Sequence, residues 1–124
     1  MSNLTCNDYQ EKAMSTCMPS CANFVYMLNG LTAEVGEIND KVAKWVRKCI
    51  ARIDNNKLVF NTSDEAVRDD YVAELVKEIG DCAWFLAGLS KMLGVDFEDV
   101  CQGNLDKLAD RQKRGVIDGN GDNR

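Results

Sequence analysis

Two apolar stripes at helical spacing leave this chain few ways to fold. Leu28, Leu31, Val35, Ile38, Val42, Trp45 and Cys49 form the first, and Tyr71, Leu75, Ile79, Cys82, Leu86, Leu89 and Leu93 the second. Steps of three and four residues put each set on one side of a 3.6-residue helix, whereas a strand would need alternation. One proline in 124 residues interrupts neither stripe. The expected fold class is all-α, an antiparallel helical bundle of four main helices, and the length suits one domain spanning residues 1–124.

End signals set the boundaries. A short first helix is expected from Thr5 to Cys17, stopped by "MPSC", because Pro19 cannot continue it. The second runs from Ala22 to Ile53, followed by "DNNKLVFNTS" as a loop. Thr62 and Glu65 have capping-box spacing for the third helix, and Gly94 stands where a C′ glycine ends it. Asp96 is the expected N-cap of the fourth, with Val95 and Val100 at staple spacing. Beyond Gly115, "GVIDGNGDNR" reads as a flexible glycine-rich tail over 115–124.

Composition excludes several chemistries. A net charge of −5 opposes general nucleic-acid binding, which rests on phosphate neutralisation by Lys and Arg. Neither a leader pattern nor a run of 18 apolar residues occurs, so no membrane partner and a soluble, cytoplasmic protein are expected. The six cysteines mostly fall at core-like helix positions and read as reduced buried thiols. With no histidine, Ser-His-Asp, Cys-His and His-metal chemistries are all absent. Catalysis is left to carboxylates, lysines, arginines and a hard metal.

The carboxylates occur in two matched motifs. "AEVGEINDK" and "KEIGDC" each carry acid, β-branched residue, glycine, acid, giving the pairs Glu34 with Glu37 and Glu78 with Asp81. At about 100° per residue, Glu34 lies about 60° from its stripe and Glu37 about 120°, and the second pair has the same offsets. Antiparallel packing brings both pairs to one side of the helix interface. Folding about Asn56 and Lys57 sets Glu34 level with Asp81 and Glu37 level with Glu78, with Gly36 and Gly80 at a close backbone approach. Four such acids repel one another unless a cation is present, and all-oxygen ligands suit Mg²⁺, or Mn²⁺ in its place. The plain alternative is a set of solvated acids pairing with Lys41 or Lys77.

On the fourth helix, Asn104, Lys107, Arg111 and Arg114 recur at 3-4-3 spacing beside Phe97, Cys101, Leu105 and Leu108. A cationic stripe beside a metal suits a polyphosphate, and it equally suits a solvated helix end whose cations favour the dipole. At this point "GLTAEVGEINDK", "ELVKEIGDCAWFLAGLSKMLGVDFEDV" and "NLDKLADRQKRGVIDGNGDNR" resemble the MazG-type all-α nucleoside triphosphate pyrophosphohydrolases, especially short single-domain phage and bacterial forms, over residues 23 to 124. The resemblance implies Mg²⁺-dependent attack of water at the α-phosphorus of a nucleoside triphosphate, releasing a monophosphate and pyrophosphate. It implies a metal held by Glu34, Glu37, Glu78 and Asp81, with Glu34 or Glu37 orienting the water. Asn104, Lys107 and Arg111 would meet the phosphates, helped by Lys41, Lys44 and Arg114. Some members carry a further glutamate where this chain has Ala33.

Phe85, one turn beyond Asp81, is the candidate for a base contact, and Trp84, pointing off the stripe, for an oligomer contact. Helices of about 30 residues span about 45 Å, long for a monomer of this size to cover, so a homodimer or homotetramer is expected. If the chain is phage-encoded, its setting is the host cytoplasm. Two alternatives stay open: a phosphoribosyl-ATP pyrophosphohydrolase, and a non-catalytic helical oligomer that binds metal or nucleotide.

Overall fold

A computed structural model describes residues 3–124. Four helices carry the fold: α1 (Cys6–Met14), α2 (Phe24–Arg47), α3 (Glu65–Met92) and α4 (Phe97–Lys113). Between α2 and α3 the expected loop is instead an antiparallel hairpin, β1 (Ala51–Asp54) and β2 (Lys57–Phe60). It turns at Asn55 and Asn56, whose φ of 49° and 60° are the left-handed pair a two-residue hairpin demands. The adjacent asparagines were its sequence signal, since Asn tolerates that region.

α2 therefore stops at Arg47, short of the expected Ile53. The amides of Cys49 and Ile50 donate to the carbonyls of Val46 and Trp45, a Schellman closure with Cys49 at φ 58°. Cys49 is thus an exposed helix terminator and no part of the buried stripe. Glycine holds this conformation without the Cβ clash. Cys49→Gly is expected to stabilise the chain by roughly 0.5–1 kcal/mol, read as a higher urea midpoint at unchanged slope. A lower midpoint would show that the thiol contributes more than the backbone strain costs.

The other ends follow the same logic. α1 ends at Met14 rather than Cys17, because the Ser15 and Thr16 hydroxyls donate back to the carbonyls of Lys12 and Ala13. Asp64, not Thr62, caps α3, accepting from the amides of Ala66 and Val67, while Thr62 accepts from the Asp64 amide. Gly94 ends α3 as expected, at φ 72°. Asp96 is the N-cap of α4 by backbone conformation, yet its carboxylate makes no capping bond. That service comes from α1: Gln10 Oε1 accepts from the Phe97 amide and Asn7 Oδ1 from the Glu98 amide. Gln10, 6% exposed, also donates to the carbonyls of Ala87 and Val95, tying three helices at one side chain.

α2 and α3 pack antiparallel. Met27 lies against Gly88, Phe85 against Gly30, and Trp45 against Tyr71, the register that sets Glu34 level with Asp81. Met27 and Ala87 are fully buried, and Trp45, Phe60 and Tyr71 form an aromatic cluster that seats the hairpin on the helices. The expected glycine role is displaced. A Cβ at Gly36 or Gly80 would meet nothing within 4 Å, whereas at Gly30 it would fall 2.0 Å from Phe85 and at Gly88 2.3 Å from the Met27 sulfur. Trp84 is also not an open surface: its indole donates to the Ala13 carbonyl and the Thr16 hydroxyl, fastening α1 to α3. All six cysteines are free and none is fully buried.

Candidate active site

The antiparallel register converts sequence spacing into a cluster. Glu34 from α2 and Glu78 and Asp81 from α3 each present an oxygen, and the three oxygens lie within 4.8 Å of one another. Glu34 and Glu78 are half-buried and Asp81 is exposed. Glu37, one turn along α2, is exposed and outside this group, though its charge still acts on Glu34. Burial, then the charges of Asp81, Glu78 and Glu37, push the Glu34 carboxyl above the usual glutamate range. Nearby, burial followed by the charges of Glu34, Asp81 and Glu78 pushes the Cys82 thiol up as well. The field of the patch is strongly negative. Oxygen-only ligands this close fit a hard divalent cation such as Mg²⁺ or Mn²⁺, which takes carboxylates and keeps several waters.

The basic residues divide. Lys41, one turn beyond Glu37, puts its ammonium 3.4 Å from Glu78 and 3.6 Å from Glu74. Its bond to Glu78 leads the interactions that raise its pKa. Lys44 instead pairs with Asp40 on its own helix and is half exposed. Asn104 lies in an apolar groove with Leu86, Phe97, Val100, Cys101 and Leu105, beside the apolar stripe that its spacing predicted. Lys107, Arg111 and Arg114 all turn towards the last residues of the chain, where they meet Asp122 and the Arg124 carbonyl.

Beside Glu34 opens a groove of about 570 Å³ lined by Asn23, Tyr26, Asn29, Gly30, Ala33 and Phe85. Phe85 is 8% exposed, its ring packed over Gly30 and 5.8 Å from the Tyr26 ring. Tyr26, 42% exposed, is the more open aromatic. The neighbouring Cys21 sulfur pushes the Tyr26 phenol up. Sequence reasoning missed Tyr26 and Asn29 because neither sits on a motif. The only signal was position, one to two turns before Glu34 on the same helix.

Comparison with known proteins gives a family and a relative. The chain is 41% identical over 99 residues to Gene 37 protein of Mycobacterium phage L5, covering 80% of this chain and 75% of that one. No solved structure matches it. The model of the MazG nucleotide pyrophosphohydrolase domain matches residues 23–116, the span that holds the hairpin, the three clustered acids, Lys107 and Arg111; the chain belongs to that family.

Proposed function

We propose that this chain is a Mg²⁺-dependent nucleoside triphosphate pyrophosphohydrolase that cleaves ribo- or deoxynucleoside triphosphates to the monophosphate and pyrophosphate. The observation that carries the reading is the convergence of Glu34, Glu78 and Asp81 within 4.8 Å beside an open groove, in a chain of this family. Those three residues hold the ion. Bound there, a divalent ion neutralises charge that develops on the attacking and leaving oxygens.

The remaining roles belong to the chain. Glu37, exposed at the edge of the acid patch, orients the attacking water, with Glu34 as the other carboxylate placed to do so. Lys41 leaves Glu78 for the phosphates, and Lys44, Asn104, Lys107, Arg111 and Arg114 supply further contacts, some of them through a second copy. Phe85 forms the floor of the base groove and Tyr26 its open wall. Apolar side chains remain uncovered on both long helices, among them Leu28 and Val35 on α2 and Val72, Val76, Ile79 and Leu86 on α3. The α3 set follows helical spacing, and a homodimer or homotetramer covers it. No helix among the described residues is long and apolar enough to cross a membrane, consistent with action in a cytoplasm, the host's if the gene is a phage's.

Phosphorus NMR tests the reading: protein, Mg²⁺ and a panel of nucleoside triphosphates, with solution mass read by light scattering on the same sample. Monophosphate and pyrophosphate are expected, from a species of two or four chains. Release of orthophosphate, or no turnover across the panel, would overturn the activity; a monomeric mass would remove the oligomer.

A further inference from the structure

One carboxylate of the C-terminal segment sits on the basic stripe. Asp122 Oδ1 lies 3.1 Å from Arg111 Nη2 and 3.5 Å from Lys107 Nζ, so two cations one helical turn apart meet a single oxygen. Arg111 is 4% exposed, and Nη2 also donates to the carbonyls of Asp122, at 2.8 Å, and Gly121, at 3.4 Å. Its Nε–H is buried without any acceptor. A guanidinium fork usually engages an anion through two nitrogens, and an orphaned buried donor is costly. Here the bonds leave from one nitrogen while the neighbouring donor goes unused. The Asp122 carboxylate therefore meets Arg111 and Lys107 through Oδ1 alone, and the Arg111 Nε–H stays unpaired beside it.

The occupant itself is loosely held. The Asp122 side chain is 84% exposed, and exposed ion pairs are weak. The backbone around it is pinned independently: Arg114 donates to the Arg124 carbonyl, Arg124 donates to the carbonyls of Val116 and Gly121, and the two backbone bonds to Arg111 do not involve the carboxylate. Its side chain can therefore rotate away while the strap stays folded.

We propose that Asp122 is an internal competitor for a phosphate site: in the free chain its carboxylate occupies the point where Lys107 and Arg111 converge, and a polyphosphate takes its place. The proposal rests on the nucleotide reading for its biological meaning, and on the Lys107, Arg111 and Asp122 geometry for its physics. Binding a triphosphate then carries the cost of displacing the carboxylate, so the strap sets a threshold on substrate concentration.

The test uses inorganic pyrophosphate and the full chain in EDTA, where the acid patch repels the ligand and only cations report, followed by calorimetry. Asp122→Asn keeps a hydrogen-bond acceptor and removes the charge; Asp118→Asn removes the same charge from an exposed position in the same strap. The expected result is a dissociation constant about fivefold lower for Asp122→Asn, with Asp118→Asn close to wild type. Equal affinity of the two variants, weaker binding by Asp122→Asn, or no binding by any of the three proteins overturns the proposal. Its fate is separable from that of the activity. A chain that turns over no nucleotide, yet binds pyrophosphate more tightly as Asp122→Asn, keeps the competitor and loses the enzyme. Turnover without that gain does the reverse.

Discussion

Glu34→Gln is expected to lower kcat on a nucleoside triphosphate about a thousandfold while raising the melting temperature of the metal-free chain by about 4 °C. Both effects come from one arrangement. Three carboxylate oxygens lie within 4.8 Å, and among the described residues the cation paired with the cluster is Lys41, 3.4 Å from Glu78. Removing one charge relieves repulsion on the order of 1 kcal/mol at partly solvated distances of this size. The same removal strips a ligand from the ion, and electrostatic contributions of this kind are worth a hundred- to a thousandfold or so in turnover.

The pH dependence has a definite sign. Glu34 titrates above its ordinary range, chiefly through burial and then through Asp81, Glu78 and Glu37. A carboxyl with a raised folded-state pKa contributes stability that is complete below its unfolded value and lost as pH rises through the folded value. Metal-free wild type should therefore lose stability across that window while Glu34→Gln does not. The gap between them opens from the ordinary glutamate range upward and stays open to neutrality. Mg²⁺ reverses the order, since an ion that binds only the folded wild type stabilises it by mass action. Thermal scans at several pH values with and without Mg²⁺ decide the matter. An equal Mg²⁺ shift in both proteins would place the ion elsewhere.

The clustering of Glu34 with Glu78 and Asp81 was more legible in the sequence than the path of the chain around it. The long helices follow from repeated apolar spacing, which accumulates evidence over some 25 residues, and folding them back about Asn56 and Lys57 sets Glu34 level with Asp81. The hairpin was hidden because its strands have four residues each, too short for a period, and its signal was a pair of asparagines. Helix α4 shows a different limit. Its N-terminus is capped by Gln10 and Asn7, some 90 residues away, and no local rule finds a cap that another helix provides. Arg111 shows the same thing for function: its spacing suggested a ligand contact, while its burial against Gly121 and Asp122 depends on a tail whose composition suggested freedom.

The glycines give the sharpest separation between pattern and packing. Gly36 and Gly80 stand at the centre of the matched motifs, and neither has an atom within 4 Å of where a Cβ would be. Their helical glycine cost is uncompensated in the single chain, so Gly36→Ala and Gly80→Ala should each stabilise it by about 0.5–1 kcal/mol. Gly30 and Gly88 carry no motif, yet each lets a side chain of the facing helix press against its backbone. An added methyl at Gly30 would overlap three ring atoms of Phe85, the nearest at 2.0 Å, and the ring is held by Tyr26 and Trp84 as well. At Gly88 the obstacle is the Met27 thioether, which is longer and more adaptable but fully buried. Gly30→Ala should therefore cost about 3 kcal/mol and Gly88→Ala about 2, the range for overpacking a well-packed contact. Urea unfolding of the four variants checks the order. Stabilisation by Gly30→Ala would mean that the helices can separate at no cost. Destabilisation by Gly36→Ala or Gly80→Ala would reveal a close neighbour there that the single chain lacks, which a second copy across the α2–α3 face would supply.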